Sequence, residues 1–210
     1  DIINNTKRIK IENDNIKGTI SLTGGSIDDL TFKKYTETLN GSDNVTLLNP
    51  SNIENGYFVE TGWVTNNKNI NVPNSKTSWI IEGNNKKLTQ KNPIKLVWAN
   101  DQGIKFEKKI SIDNKFLFTI EQSITNNTNK IYNFYPYGQI IRNIAPEVTN
   151  FYILHEGLIG VFDDQLVEKD YDDIEEKKYS VNAQSGWAGI TDKFWIVTMI
   201  PEKNKEFRSD

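Results

Sequence analysis

The sequence predicts an all-β protein built as an antiparallel β-sandwich, with at most one or two short helices. Three observations carry that expectation. Short segments with apolar residues on alternate positions recur along the whole chain, the two-residue period of a half-buried strand. Gly, Asn and Asp turn signals return roughly every 8 to 12 residues, the spacing of a sandwich or barrel. No stretch sustains the 3.6-residue apolar period of a long helix, which argues against an α/β fold.

Taken in order, Ile9 and Ile11 alternate, and Ile16, Gly18, Ile20 and Leu22 resume the alternation after Asn13-Asp14-Asn15, so the chain opens as a hairpin. Thr23-Gly24-Gly25-Ser26 is the next turn, and Ile27 to Lys33 forms a third strand. The signal then weakens to a loop from Tyr35 to Asn55, with one short apolar run, Val45 to Leu48, ended by Pro50. Tyr57 to Val59 is a short strand, and the Asn-rich stretch 66–75 is a long irregular loop expected to be highly mobile.

The middle of the chain is the clearest. Strands are expected at Ile94 to Ala99, Ile104 to Ile112, Phe116 to Thr125 and from Ile131 onward, joined by Asn-rich and Asp-rich turns. Ile104, Phe106, Ile110 and Ile112 share one face, as do Phe116, Phe118, Ile120 and Ile124, while Lys105, Glu107 and Lys109 point the other way. One dry face and one wet face describe an antiparallel sheet packed on a second layer. The expected helix is short and lies near Asp172 to Lys178. No repeat or boundary divides the chain, so 1–210 reads as a single domain.

Composition narrows the chemistry. The 210 residues contain no cysteine, which excludes disulfides, Cys-ligated zinc, iron–sulfur clusters and a thiol nucleophile. The 25 basic residues are scattered among 28 acidic ones, so no field draws in nucleic acid. No apolar run approaches the ~20 residues of a bilayer-spanning helix, and the N-terminus lacks a signal peptide's regions, so a soluble piece is expected.

His155 is the single histidine, which excludes a two-His metal site, and no Gly-x-Ser-x-Gly nominates a triad. A structural or surface polar role is expected for it. Glu156 points away from His155 if the segment is a strand. The adjacent acids Asp28-Asp29, Asp163-Asp164, Asp172-Asp173 and Glu175-Glu176 read as solvated turns or helix starts. The run holding Asp163, Asp164, Asp172, Asp173, Glu175 and Glu176 is a solvated excursion and a candidate partner-binding surface. Trp79 and Trp98 fit the core, whereas Trp63, after Gly62, and Trp187, after Gly186, are candidate groove aromatics. No catalytic residue, metal ligand or cofactor motif is identified.

Five segments in order carry a resemblance. They are Leu22 to Leu30 (with Gly24-Gly25), Glu60-Thr61-Gly62-Trp63, Tyr135-Pro136-Tyr137-Gly138, Ile153 to Val161 around His155-Glu156-Gly157, and Gly186 to Trp195, followed by Ile200-Pro201. Together they resemble the large periplasmic domain of the bacterial membrane protein insertase family YidC. The resemblance implies an antiparallel β-super-sandwich of the galactose-mutarotase type, held in the periplasm as part of an inner-membrane protein. It implies a non-catalytic interaction or scaffold module that assists insertion and folding of inner-membrane proteins, alone or with the Sec translocon. The implied partners are the Sec accessory protein SecF, placed on the acidic excursion, and client proteins met through the full insertase. It also implies a piece excised from a membrane protein, with the C-terminal part of the family's domain missing. Because the fold is shared, a carbohydrate-binding or sugar-epimerase-like sandwich is the alternative; the single histidine weakens its catalytic version.

Overall fold

The structure is a computed structural model and describes residues 6–146, 155–192 and 194–210. Its first eleven strands are β1 (Arg8–Glu12), β2 (Ile16–Ser21), β3 (Ile27–Thr36), β4 (Asn44–Leu48), β5 (Tyr57–Val64), β6 (Ile80–Glu82), β7 (Lys87–Leu88), β8 (Ile94–Ala99), β9 (Ile104–Ile112), β10 (Phe118–Asn126) and β11 (Tyr135–Arg142). There follow β12 (Gly157–Phe162), β13 (Gln165–Asp170), a short helix α1 (Tyr171–Glu176), β14 (Val181–Ala183), β15 (Gly186–Thr191), β16 (Ile196–Met199) and β17 (Phe207–Ser209). The chain is all-β, as the alternation predicts, and it divides into two compact units, Asp1–Asn143 and Ile144–Asp210.

The first unit is a sandwich. One sheet has the order β11-β5-β3-β2-β1-β7 with β4 added to β3, and the other has the order β10-β9-β8-β6. Neighbouring strands are antiparallel except β1 and β7, which run parallel through Lys10↔Lys87 and Ile11↔Leu88. Each sheet turns its β-branched and aromatic face inward: Ile9, Ile11, Ile16 and Ile20 on one side, and Ile94, Leu96, Ile104, Phe106 and Ile110 on the other, are fully buried. Trp63 of β5 meets Phe106 of β9 across the interior, with ring centroids 5.2 Å apart. The outer face of the smaller sheet carries a lattice of exposed ion pairs, among them Lys95 with Glu82 at 2.7 Å and Lys109 with Glu121 at 2.8 Å. Such pairs favour solubility more than stability.

Three differences from expectation have local causes. β5 runs to Val64 because all eight of its residues pair with β11, which carries the weak Glu60-Thr61-Gly62 stretch into the sheet. The Asn-rich loop 66–75 is irregular but tied down: Asn100 Nδ2 donates to Asn71 O at 2.9 Å, Asn71 N donates to Gln102 Oε1 at 2.8 Å, and Ile70 is buried. Asp28-Asp29 is not a solvated turn. The β2–β3 register steps from Thr19↔Asp29 to Ile20↔Ile27, so Asp28 is the extra residue of a β-bulge and turns to the same face as Asp29. Asp28 is 4% exposed and pairs with Arg8, whose Nε donates to Thr19 Oγ1 at 2.6 Å; Thr19 in turn donates to Asp29 Oδ2 at 2.7 Å. Burial pushes the Asp28 carboxyl upward even with the guanidinium beside it.

The second unit contains a four-stranded sheet, β13-β12-β15-β16, and the β14–β17 pair. Gly186 pairs with Phe162 at φ +132°, where any Cβ would collide with the Val161 carbonyl; only glycine lets β15 lie this close to β12. Phe162 and Ala183 are buried, Phe162 against the rings of Tyr179 and Phe207. The helix falls near its expected place, one turn and a half long. Ile153, Leu154 and Lys193, which belong to the two sequence stretches around His155 and Trp187, lie outside the described residues. Among the described residues no helix is long and apolar enough to cross a membrane.

Candidate functional site

The most unusual side chain is one that no sequence motif announces. Lys108 lies on β9 between Phe106 and Ile110, in phase with the inward face, and is 1% exposed. Its Nζ donates to the Thr61 carbonyl of β5 at 2.5 Å and stands 4.8 Å from the Trp79 ring centroid. The need for this donor arises in the sheet opposite, where β3 meets β5 at a single pair, Ile27↔Val59; beyond it Lys108 serves the Thr61 carbonyl. Gln122 of β10 does the same for Gly62, donating from Nε2 to its carbonyl at 2.8 Å. Two side chains of one sheet therefore stitch the backbone of the other.

Desolvation dominates the electrostatics of this cluster. Burial lowers the Lys108 pKa to about 8, and the field of Glu60 opposes the shift only in part. Burial raises Tyr137 to about 12, assisted by Glu60, whose Oε1 accepts from Tyr137 Oη at 3.1 Å. Gly25 closes the wall at φ +71°: a Cβ there would sit 2.9 Å from Trp79 Nε1 and 3.3 Å from Lys108 Nζ. Trp79 Nε1 itself is buried without a hydrogen-bond partner among the described residues. A lysine with a weakened hold on its proton is a nucleophile only where a substrate reaches it, and this one is enclosed. The cluster is a cross-sheet tie.

Trp63, expected as a groove aromatic, is 3% exposed and lies in this core, packed on Trp79 and Phe106; it lines no open surface. Its position on an inward phase of β5 becomes visible only once that strand is extended past Val59. Trp187 sits half-buried on β15 opposite Val161.

The six acids of the excursion separate into two groups. Asp163 and Asp164 form the two-residue β12–β13 turn, both with positive φ (+47° and +67°), as a type I′ hairpin requires. Asp163 Oδ1 accepts from the backbone N–H of Gln184 and of Ser185, each at 2.9 Å, so its carboxylate is a structural acceptor. Asp172, Asp173, Glu175 and Glu176 are all exposed on α1. Of the expected surface, these four and the exposed Asp164 at the turn remain available to a partner, while Asp163 is engaged.

His155 has the structural role expected of it. Its side chain is 9% exposed, with Nε2 2.9 Å from Leu158 O and Nδ1 3.1 Å from Asp170 Oδ1. Both ring nitrogens meet acceptors, so the ring clasps the end of β13 to the start of β12. Asp170 is also the N-cap of α1, yet its side chain makes no capping bond because it is turned to His155. Among the described residues, no group of three or more His, Asp or Glu is placed to hold a metal ion.

A family model described as the YidC periplasmic domain matches residues 8–210. A protein of Pelagibacter ubique (strain HTCC1062) named membrane protein insertase YidC is 54% identical over 209 residues, covering 100% of this chain and 37% of its own length. Proteins of that name from Rickettsia felis and Rickettsia akari are each 42% identical over 207 residues, covering 97% of this chain and 37% of their own length. The chain spans little more than a third of the length of these relatives.

Proposed function

The chain belongs to the family of YidC periplasmic domains, and from that premise we propose that it is a non-catalytic interaction and scaffold module of a membrane protein insertase. The observation that carries the reading is the match over residues 8–210, which spans both compact units and makes them one working domain in this proposal. The whole protein, on this reading, inserts and folds inner-membrane proteins, alone or with the Sec translocon, and meets its clients through parts beyond this chain. The internal chemistry agrees with a module that binds: the perturbed lysine is enclosed, the histidine is a clasp, and four of the accessible acids stand together on one short helix. With Trp63 in the core, a sugar-binding groove would rest on Trp187 alone, and no observation favours that alternative.

The docking element in this proposal is α1, and the partner is the periplasmic part of SecF. A titration of the chain against that part, with Asp172, Asp173, Glu175 and Glu176 changed to lysine, tests it. Binding is expected in the native chain and is expected to weaken by at least about tenfold in the variant, through lost charge complementarity. The Asp163→Ala variant, which alters the turn and its bonds to Gln184 and Ser185 but leaves α1 unchanged, should bind normally. Equal binding by the native and lysine chains, or no binding by either, would overturn α1 as the docking site.

A further inference from the structure

The outer face of the larger sheet gathers positive charge at the β7-β1-β2 end. Residues opposite one another in register share a face, so Lys10↔Lys87 and Glu12↔Lys17 place all four on the solvent side, while Ile9, Ile11, Ile20 and Leu88 fill the interior. Lys33 and Lys91 join them around a shallow recess of about 320 Å³ between the β1–β2 turn and the loop after β7, whose lining also includes Glu12 and Asp14. Five exposed lysines thus stand beside Glu12 and Asp14; farther along the same face Asp28 is taken up by Arg8 and Asp29 accepts from Thr19, so positive charge is in excess here in a chain whose acids outnumber its bases.

Glu12 is already engaged, 2.5 Å from Lys87 Nζ and 3.2 Å from Lys33 Nζ. The two ammoniums beside it, Lys87 foremost, hold its carboxyl down at about 2, so it braces them at every physiological pH. Lys10, Lys17 and Lys91 have no carboxylate within ion-pair distance among the described residues. Their charge is available to an outside partner. The lysines spread along the outer sheet face and its end rather than converging on one point, which suits an array of phosphates better than a single bound ion.

Resting on the reading of the chain as a domain of a membrane-bound insertase, we propose that this face, around Lys10, Lys17, Lys87 and Lys91, docks on the anionic phospholipid surface of the membrane. The lysine stems reach out from the sheet and the ammoniums donate to headgroup phosphates, while Glu12 keeps Lys33 and Lys87 extended. The contact is electrostatic and is screened by salt over about 10 Å at 0.1 M.

Cosedimentation of the chain with vesicles of phosphatidylcholine, with and without one-third phosphatidylglycerol, tests this. Binding to the phosphatidylglycerol vesicles alone is expected, and it should fall as salt rises. Each lysine near an anionic surface is worth about fivefold in affinity, so the Lys10→Gln/Lys17→Gln/Lys91→Gln chain should bind about 100-fold more weakly. These three make no ion pair among the described residues, so the fold should be unaffected; an unchanged melting temperature checks it, and Lys91→Gln alone, in a loop, serves if it is not. Lys95→Gln/Lys109→Gln, on the outer face of the other sheet, should bind like the native chain. No preference for phosphatidylglycerol, equal binding by the triple variant, or capture by polyglutamate without vesicle binding would overturn the proposal, the last by assigning the face to an acidic protein. Because the SecF titration reads α1, lost vesicle binding with SecF binding intact would sink the lipid contact alone.

Discussion

A charge between two packed sheets survives only where other interactions replace its water, and at Lys108 the replacement is incomplete: one carbonyl, one aromatic face and a distant carboxylate. Its folded pKa of about 8 lies below the 10.5 of an unhindered lysine. Between these values the unfolded chain holds a proton that the folded chain lacks, so the group's contribution to stability rises with pH through that window. The protonated form, present below it, carries a penalty on the order of 3 kcal/mol. In urea unfolding the native chain should therefore gain stability relative to Lys108→Met as pH rises from about 8 to 10, while at every pH the Thr61 carbonyl left unpaired in the variant offsets part of what it gains by removing the buried charge; a difference independent of pH would contradict the assignment. Tyr137, raised to about 12, acts in the opposite sense above pH 10, which sets the upper end of the comparison. The signal for Lys108 was present in the sequence. The alternation Ile104, Phe106, Ile110, Ile112 passes through position 108, and a lysine in that phase is either exposed by a break or buried with a purpose. Gly25 belongs to the same site: Gly25→Ala, strained at positive φ and crowding Trp79, should lower stability by roughly 1 to 3 kcal/mol in thermal unfolding.

At the scale of elements, what was legible depended on whether a signal was local. β8 and β9 occupy the residues expected from alternation, because the period and the flanking turns sit within a few residues of each other. The bulge at Asp28 was not legible, since it answers to Arg8 on another strand. Nor was the split of the acidic excursion, because Asp163 becomes a structural acceptor only when β15 brings Ser185 to it. Asp163→Ala should cost roughly 1 to 2 kcal/mol, from two lost hydrogen bonds to the carboxylate and an alanine held at positive φ, whereas Asp164→Gly should be neutral or stabilising at its positive φ. Chemical denaturation of the two variants separates these outcomes. His155→Ala frees Asp170, whose extended backbone suits an N-cap, to bond the first turn of α1. The variant should keep its fold and its partner binding; lost binding at unchanged stability would make His155 part of the contact surface after all.

For the whole molecule, alternation and turn spacing are enough to read an all-β chain, and five ordered segments are enough to read its family. The division into two compact units left no mark in composition, because both units draw on the same strand and turn chemistry. The first unit contains both layers of its own sandwich, with its buried isoleucines facing Phe106 and Leu96 across it. A chain ending at Asn143 should therefore unfold cooperatively and retain near-ultraviolet circular dichroism from Trp63 and Trp79. A broad, non-cooperative transition would show that the second unit is needed for that packing.

The parallel β1–β7 contact has a consequence for how the protein is made. A chain that emerges N-terminus first presents the β1–β2 hairpin long before β7 exists, since 75 positions separate Glu12 from Lys87. At about 5 to 20 residues per second, the outer rim of β1 waits roughly 4 to 15 s for its cover. During that interval it is an unpaired edge open to a neighbouring nascent chain, and Arg8, Lys10 and Glu12, alternating with isoleucines along it, are the charges that discourage the wrong strand from adding there.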